Sequence, residues 1–140
     1  MPALTLPDGA RLVYDLHDFT DPWTTPETLV LVHGFSKHRR FWYAWLPQLA
    51  RHYRVVCVDL RGHGESSPVA ADFEMALEPF ADDLATLLDH LGLPVAHFVM
   101  AEFATAVALV LATRHAARVK SLVLPGFGYN WAGAPVKPRD

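Results

Sequence analysis

The chain has 140 residues, 51% of them hydrophobic and 19% charged, with a formal net charge of −3. A chain of that length suits one domain able to withdraw roughly 70% of its unfolded surface from water. Its composition argues against disorder, its apolar runs are too short for a membrane span, and its one basic run, Lys37-His38-Arg39-Arg40, leads straight into aromatics rather than forming a nucleic-acid footprint.

In chain order, Ala10 to His17 alternates well enough for an edge strand closed by a turn at Asp18-Phe19-Thr20-Asp21-Pro22. Leu29-Val30-Leu31-Val32 is a short apolar run ending at His33-Gly34, as in a strand buried on both faces of a parallel sheet. Phe41, Trp42, Trp45, Leu46 and Leu49 then fall at helical spacing, predicting an amphipathic helix from Arg39 to His52 that is kinked or broken at Pro47. Arg54 to Leu60 is the next strand, and Cys57, the one cysteine, reads as a small inert core residue within it. Without a second cysteine or a basic-then-apolar N-terminus, the cytoplasm is the expected compartment.

Arg61 to Pro68 is turn chemistry. Phe80, Leu84, Leu87, Leu88 and Leu91 mark a second helix that stops at Gly92, with Asp82, Asp83 and Asp89 placed on its wet side. Val95 to Met100 predicts a strand, Glu102 to His115 an almost wholly apolar interior helix, and Val119 to Leu124 a last strand. Alternating strands and helices with short connections give an α/β fold: a mostly parallel sheet covered by helices on both faces. Residues 1–125 form that core, and 126–140, rich in Gly and Pro, a tail.

Ligand sites in such sheets lie beyond the carboxyl ends of the strands, here His33 to Ser36, Arg61 to Ser66, Ala101 to Thr105 and Pro125 to Gly128. Two of these loops carry a signal. His33-Gly34-Phe35-Ser36 followed by Asp59-Leu60-Arg61-Gly62-His63-Gly64-Glu65-Ser66 resembles the α/β-hydrolase family, the second stretch matching its D-x-R-G-x-G-x-S turn at every fixed position. The order of elements is similar over nearly the whole chain, as a core ending after the sixth strand.

The resemblance implies an oxyanion hole made by the backbone N–H groups of Phe35 and Phe103, with His33, Gly34 and Ser36 forming the oxyanion loop and pocket. It also implies a nucleophile at Glu102. There the family's Gly-x-Ser-x-Gly reads Met100-Ala101-Glu102-Phe103-Ala104, all fixed residues changed, which predicts a relaxed turn with the usual backbone strain partly lost. Some members of the family use aspartate to form an alkyl ester with epoxides or haloalkanes, and Glu102 offers the same carboxylate on a longer arm. Turnover would also need a histidine and an orienting acid from beyond later strands, and no histidine follows His115.

Two readings of function follow. One is an ester or epoxide hydrolase acting on a small molecule once completed by a second chain; the other is an inactive homologue kept as a binding or partner module. A third, nucleotide binding at Gly62-His63-Gly64, lacks the third glycine and a following helix. His33 is expected to order the oxyanion loop and His63 the turn, with a Glu102 dyad to either as the improvised alternative. The aromatics from Phe41 to Trp45 are read first as packing, Tyr129 and Trp131 as pocket remnant or loose tail. No cofactor and no metal site is expected, and neither nucleic acid nor membrane as a partner. Strand 119–124, as an apolar sheet edge, predicts a complementing chain or self-association there.

Overall fold

The computed structural model describes residues 1–126 of the chain. The expectations for Phe127, Gly128, Tyr129 and Trp131, and for nearly all of the tail, fall outside the described residues. Six strands form one sheet: β1 (Ala3–Thr5), β2 (Arg11–His17), β3 (Thr28–Val32), β4 (Arg54–Val58), β5 (Ala96–Met100) and β6 (Val119–Val123). Their order across the sheet is β1-β2-β4-β3-β5-β6. β4, β3, β5 and β6 run parallel, whereas β1 and β2 join antiparallel on one side. The expected edge strand 10–17 is therefore interior. The three-residue β1, too short for alternation to reveal, covers it.

Residues 29–32 of β3, 55–58 of β4 and 98–100 of β5 are continuously apolar because both faces of the sheet are covered there. Val30, Val32, Val56, Val58, Phe98 and Met100 point to a core shared with α2 (Glu78–His90) and α3 (Ala104–Arg114). The intervening Leu29, Leu31, Val55, Cys57 and Val99 point the other way, to a smaller core closed by Trp42 and Ala50. Cys57 is buried there and its thiol is pushed up to about 12 by burial, which leaves it an inert core residue.

Three expectations change. The helix foreseen over 39–52 is two pieces, a 3₁₀ turn at Arg39–Trp42 and the four-residue α1 (Leu46–Leu49), with Pro47 in the first turn of the second. Asp83 is not on the wet side of α2 but buried against Arg61. α3 is not enclosed all round: Ala104, Thr105, Val107, Ala108 and Leu111 are buried, while Leu109 is exposed. Among the described residues no helix is long and apolar enough to cross a membrane.

The candidate active site at the carboxyl ends of β3 and β5

Asp59, at the end of β4, is wholly buried and acts as the hub of the Arg-Gly turn. Its carboxylate accepts from the Arg39 guanidinium, the Arg39 backbone N–H at 2.6 Å and the Glu65 N–H at 2.9 Å. A Cβ on Gly64, whose φ is +54°, would collide with that carboxylate, so glycine is required there twice over. Ser66 Oγ donates to the Asp59 carbonyl and accepts from the Val13 N–H, stitching the turn to β2. Arg61 makes a two-pronged contact with Asp83 on α2, 2.8 Å on each arm, and a further one with Asp8. Burial pushes the Asp83 carboxyl up while Arg61 pulls it back down. The motif that identified the family thus makes an internally satisfied clamp.

His33 is a structural part of the neighbouring loop. It is fully buried, its Nε2 accepts the Leu60 N–H at 3.0 Å, and its Nδ1 must then carry the hydrogen donated to the Gly34 carbonyl at 2.7 Å. Burial pushes its pKa down, so the neutral ring is favoured. With both nitrogens engaged it forms no dyad with Glu102, and His63, whose Nδ1 contacts the Arg61 carbonyl at 3.1 Å, forms none either. The two imidazoles instead lie 5.1 Å apart, and Phe35 packs edge-on to His63 at 5.8 Å.

β5 delivers Glu102 to the same sheet edge. The expected relaxed turn is corrected by the backbone: Glu102 has φ +52°, a left-handed conformation that costs a non-glycine residue about 1–2 kcal/mol. Several bonds hold it there. Glu102 N–H donates to the Pro125 carbonyl at 3.2 Å, and its own carbonyl accepts from the Thr105 N–H at 3.0 Å and the Thr105 hydroxyl at 2.6 Å. Met100 does not crowd the turn, because its side chain is buried in the core under α2 and α3. Ala104, fully buried, is small enough for α3 to start close to the sheet.

The Glu102 side chain is about half exposed. Oε2 packs against Gly34 so closely that a Cβ there would collide with it, and Oε1 pairs with Lys37 Nζ at 3.3 Å. The ammonium also lies 5.4 Å from the centre of the Phe41 ring. The Phe35 and Phe103 N–H groups donate no hydrogen bond among the described residues, and the two rings meet edge-on at 6.4 Å. Phe103 precedes the first turn of α3, so its N–H is one of the unpaired donors at a helix N-terminus, where negative charge is favoured. Ser36, in the loop after β3, also has positive φ, +60°.

Beside Glu102 opens an almost wholly apolar pocket of about 170 Å³, lined by Phe41, Trp42, Trp45, Ala101, Pro125 and Gly126. The aromatic segment therefore divides its work: Trp42 is buried in the core, while Phe41 and Trp45 stay half exposed as pocket wall. Trp42 Nε1 is buried without an acceptor among the described residues. Sequence reasoning missed Lys37 and Thr105. Lys37 was hidden in the basic run, and no pattern marked Thr105 within an apolar helix. No group of side chains fit to hold a metal occurs among the described residues.

Comparison with known proteins identifies the fold. A family model for the alpha/beta hydrolase fold matches residues 27–130. Strigolactone esterase D14 of Arabidopsis thaliana is 31% identical over 74% of this chain and 40% of its own length. Bifunctional epoxide hydrolase 2 of Rattus norvegicus is 32% identical over 85% of this chain and 21% of its own. The crystal structure of a hydrolase from Pseudomonas aeruginosa superposes with a TM-score of 0.78 at 34% identity, over 88% of this chain and 44% of that one. The chain spans under half the length of each of these relatives. With the family model matching most of its residues, the chain belongs to the α/β-hydrolase fold family.

Proposed function

We propose that this chain carries the nucleophile and the oxyanion donors of a hydrolase for small epoxides or esters, which turns over only when a second polypeptide supplies a histidine and its orienting acid. The observation that carries this reading is the backbone of Glu102: a strained, left-handed residue with its carboxylate against Gly34, next in sequence to the Phe35 and Phe103 N–H groups, which donate no hydrogen bond among the described residues. Strain of this kind persists only where the surroundings enforce it, and it gathers at active sites. The likeness to an epoxide hydrolase and an esterase supports the same chemistry.

In this mechanism one Glu102 oxygen attacks an epoxide carbon, the carbon–oxygen bond breaks, and a hydroxyalkyl ester of Glu102 forms once the released oxygen is protonated. The ester carbonyl oxygen, on the Gly34 side, accepts from the Phe35 and Phe103 N–H groups. Those donors stabilise the charge that develops when water attacks, each contributing about 100-fold or more to the rate. Activating that water requires a base, and among the described residues no histidine is bonded to Glu102. The second chain is proposed to add at β6, the edge strand on the parallel side of the sheet, where Val123 is 53% exposed.

The Lys37–Glu102 pair favours a second reading, an inactive binding module in which the ammonium neutralises the carboxylate. Native mass spectrometry of the assembly purified from its source, with epoxide and ester turnover measured on the same sample, separates the two. Turnover by a two-chain assembly that Glu102→Gln abolishes is expected; a lone monomer or homodimer without turnover supports the binding module.

A further inference from the structure

We infer that Lys37 is the proton donor for epoxide opening, and that the site accordingly takes small epoxides with an apolar substituent; this rests on Glu102 being the nucleophile as proposed above. When a carboxylate opens an epoxide, the electron pair of the breaking bond collects on the ring oxygen. The alkoxide so formed is strongly basic, so a positioned acid lowers the barrier. A halide leaving from a haloalkane departs as a stable anion and needs no proton.

Among the described residues, Lys37 is the one side chain paired with the Glu102 carboxylate, Nζ to Oε1 at 3.3 Å. His33 cannot serve, since both its nitrogens are engaged. The Thr105 hydroxyl is committed to the Glu102 carbonyl. The ammonium also sits 5.4 Å from the centre of the Phe41 ring, and Phe41 is a wall of the pocket that Glu102 borders, so the proton is held within reach of that pocket's rim. A lysine has a mobile four-carbon stem and protons it can give up, which lets Nζ follow the oxygen as the bond lengthens.

The step balances within these groups. With Oε2 against Gly34, Oε1 is the attacking oxygen and forms the new carbon–oxygen bond. The ring carbon–oxygen bond breaks with its electrons on the ring oxygen, and that oxygen takes a proton from Nζ. The products are a 2-hydroxyalkyl ester of Glu102 and a neutral Lys37 amine, which regains its proton from water. The pocket, about 170 Å³ and walled by Phe41, Trp42, Trp45 and Pro125, receives the substituent, which limits it to a small aryl or alkyl group.

The test compares two alkylating reagents on the full chain, styrene oxide and 1-bromobutane, following adduct mass with time and mapping the modified peptide. Wild-type protein is expected to acquire one adduct on Glu102 from either reagent. Lys37→Met should slow the epoxide reaction about 100-fold or more while leaving the bromide reaction within about threefold. Lys37→Arg keeps the positive charge but is a far weaker acid, so it should resemble Lys37→Met with the epoxide. Equal slowing of both reagents in Lys37→Met, full epoxide reactivity in Lys37→Arg, or an adduct on Lys37 itself would overturn the inference. No adduct from either reagent would instead remove Glu102 as nucleophile, and this inference with it.

Discussion

The Arg-Gly turn after β4 and the elbow after β5 meet at one sheet edge but are built on opposite principles. In the turn, every buried charge is answered: Asp59 by Arg39 and two backbone N–H groups, Arg61 by Asp83 and Asp8. In the elbow, the Phe103 N–H has no acceptor among the described residues, Glu102 is strained, and its ion pair with Lys37 is partly exposed. Removing Asp59 or Arg61 from the turn would leave a buried charge stranded. The elbow's shape at position 102 is held through the backbone of that residue, bonded to Pro125 and Thr105, and so does not depend on the side chain there.

The contrast can be tested by substitution, the largest effect coming first. Arg61→Met strands Asp83 in the interior and should cost about 3–5 kcal/mol in urea unfolding, whereas Lys37→Met breaks an exposed pair and should cost under about 1 kcal/mol. Equal losses would erase the distinction between clamp and elbow. Gly64→Ala, with a Cβ forced against Asp59 at positive φ, should cost about 2 kcal/mol or more in the same assay.

A pH effect of intermediate size comes from His33, whose folded pKa lies below its ordinary 6.5 because it is buried. The unfolded chain therefore binds the proton more tightly than the folded one, so stability is fully present above pH 6.5 and falls as pH drops through that value toward the folded pKa. Unfolding measured across this window should show that slope, and it should shrink in His33→Asn. A small effect has the opposite sign: Glu102→Gly relieves the left-handed strain and should stabilise by about 1 kcal/mol, while the same change from a relaxed backbone would destabilise.

Much of this was legible in the chain itself. The uninterrupted apolar runs at 29–32 and 55–58 marked strands buried on both faces, and the Asp59–Ser66 motif announced the family turn. The limits have physical causes. β1 is too short to show alternation, so β2 was placed at the edge. Asp83 looked solvated because a helix period gives the direction of a side chain but not the arginine waiting there. Met100 and Glu102 suggested a relaxed elbow because the turn's hydrogen bonds, made by backbone atoms and Thr105, leave no mark on residue type. Lys37 could be recognised only once folding had laid it across Glu102.

The central claim is that the elbow presents the Glu102 carboxylate to the Phe35 and Phe103 N–H groups. A crystal structure of the protein after reaction with 1-bromobutane tests it most directly. The account predicts a butyl ester on Glu102 with residue 102 still left-handed and its carbonyl oxygen within about 3 Å of both N–H groups. An ester whose carbonyl turns away from both donors, or an adduct on some other residue, would contradict it.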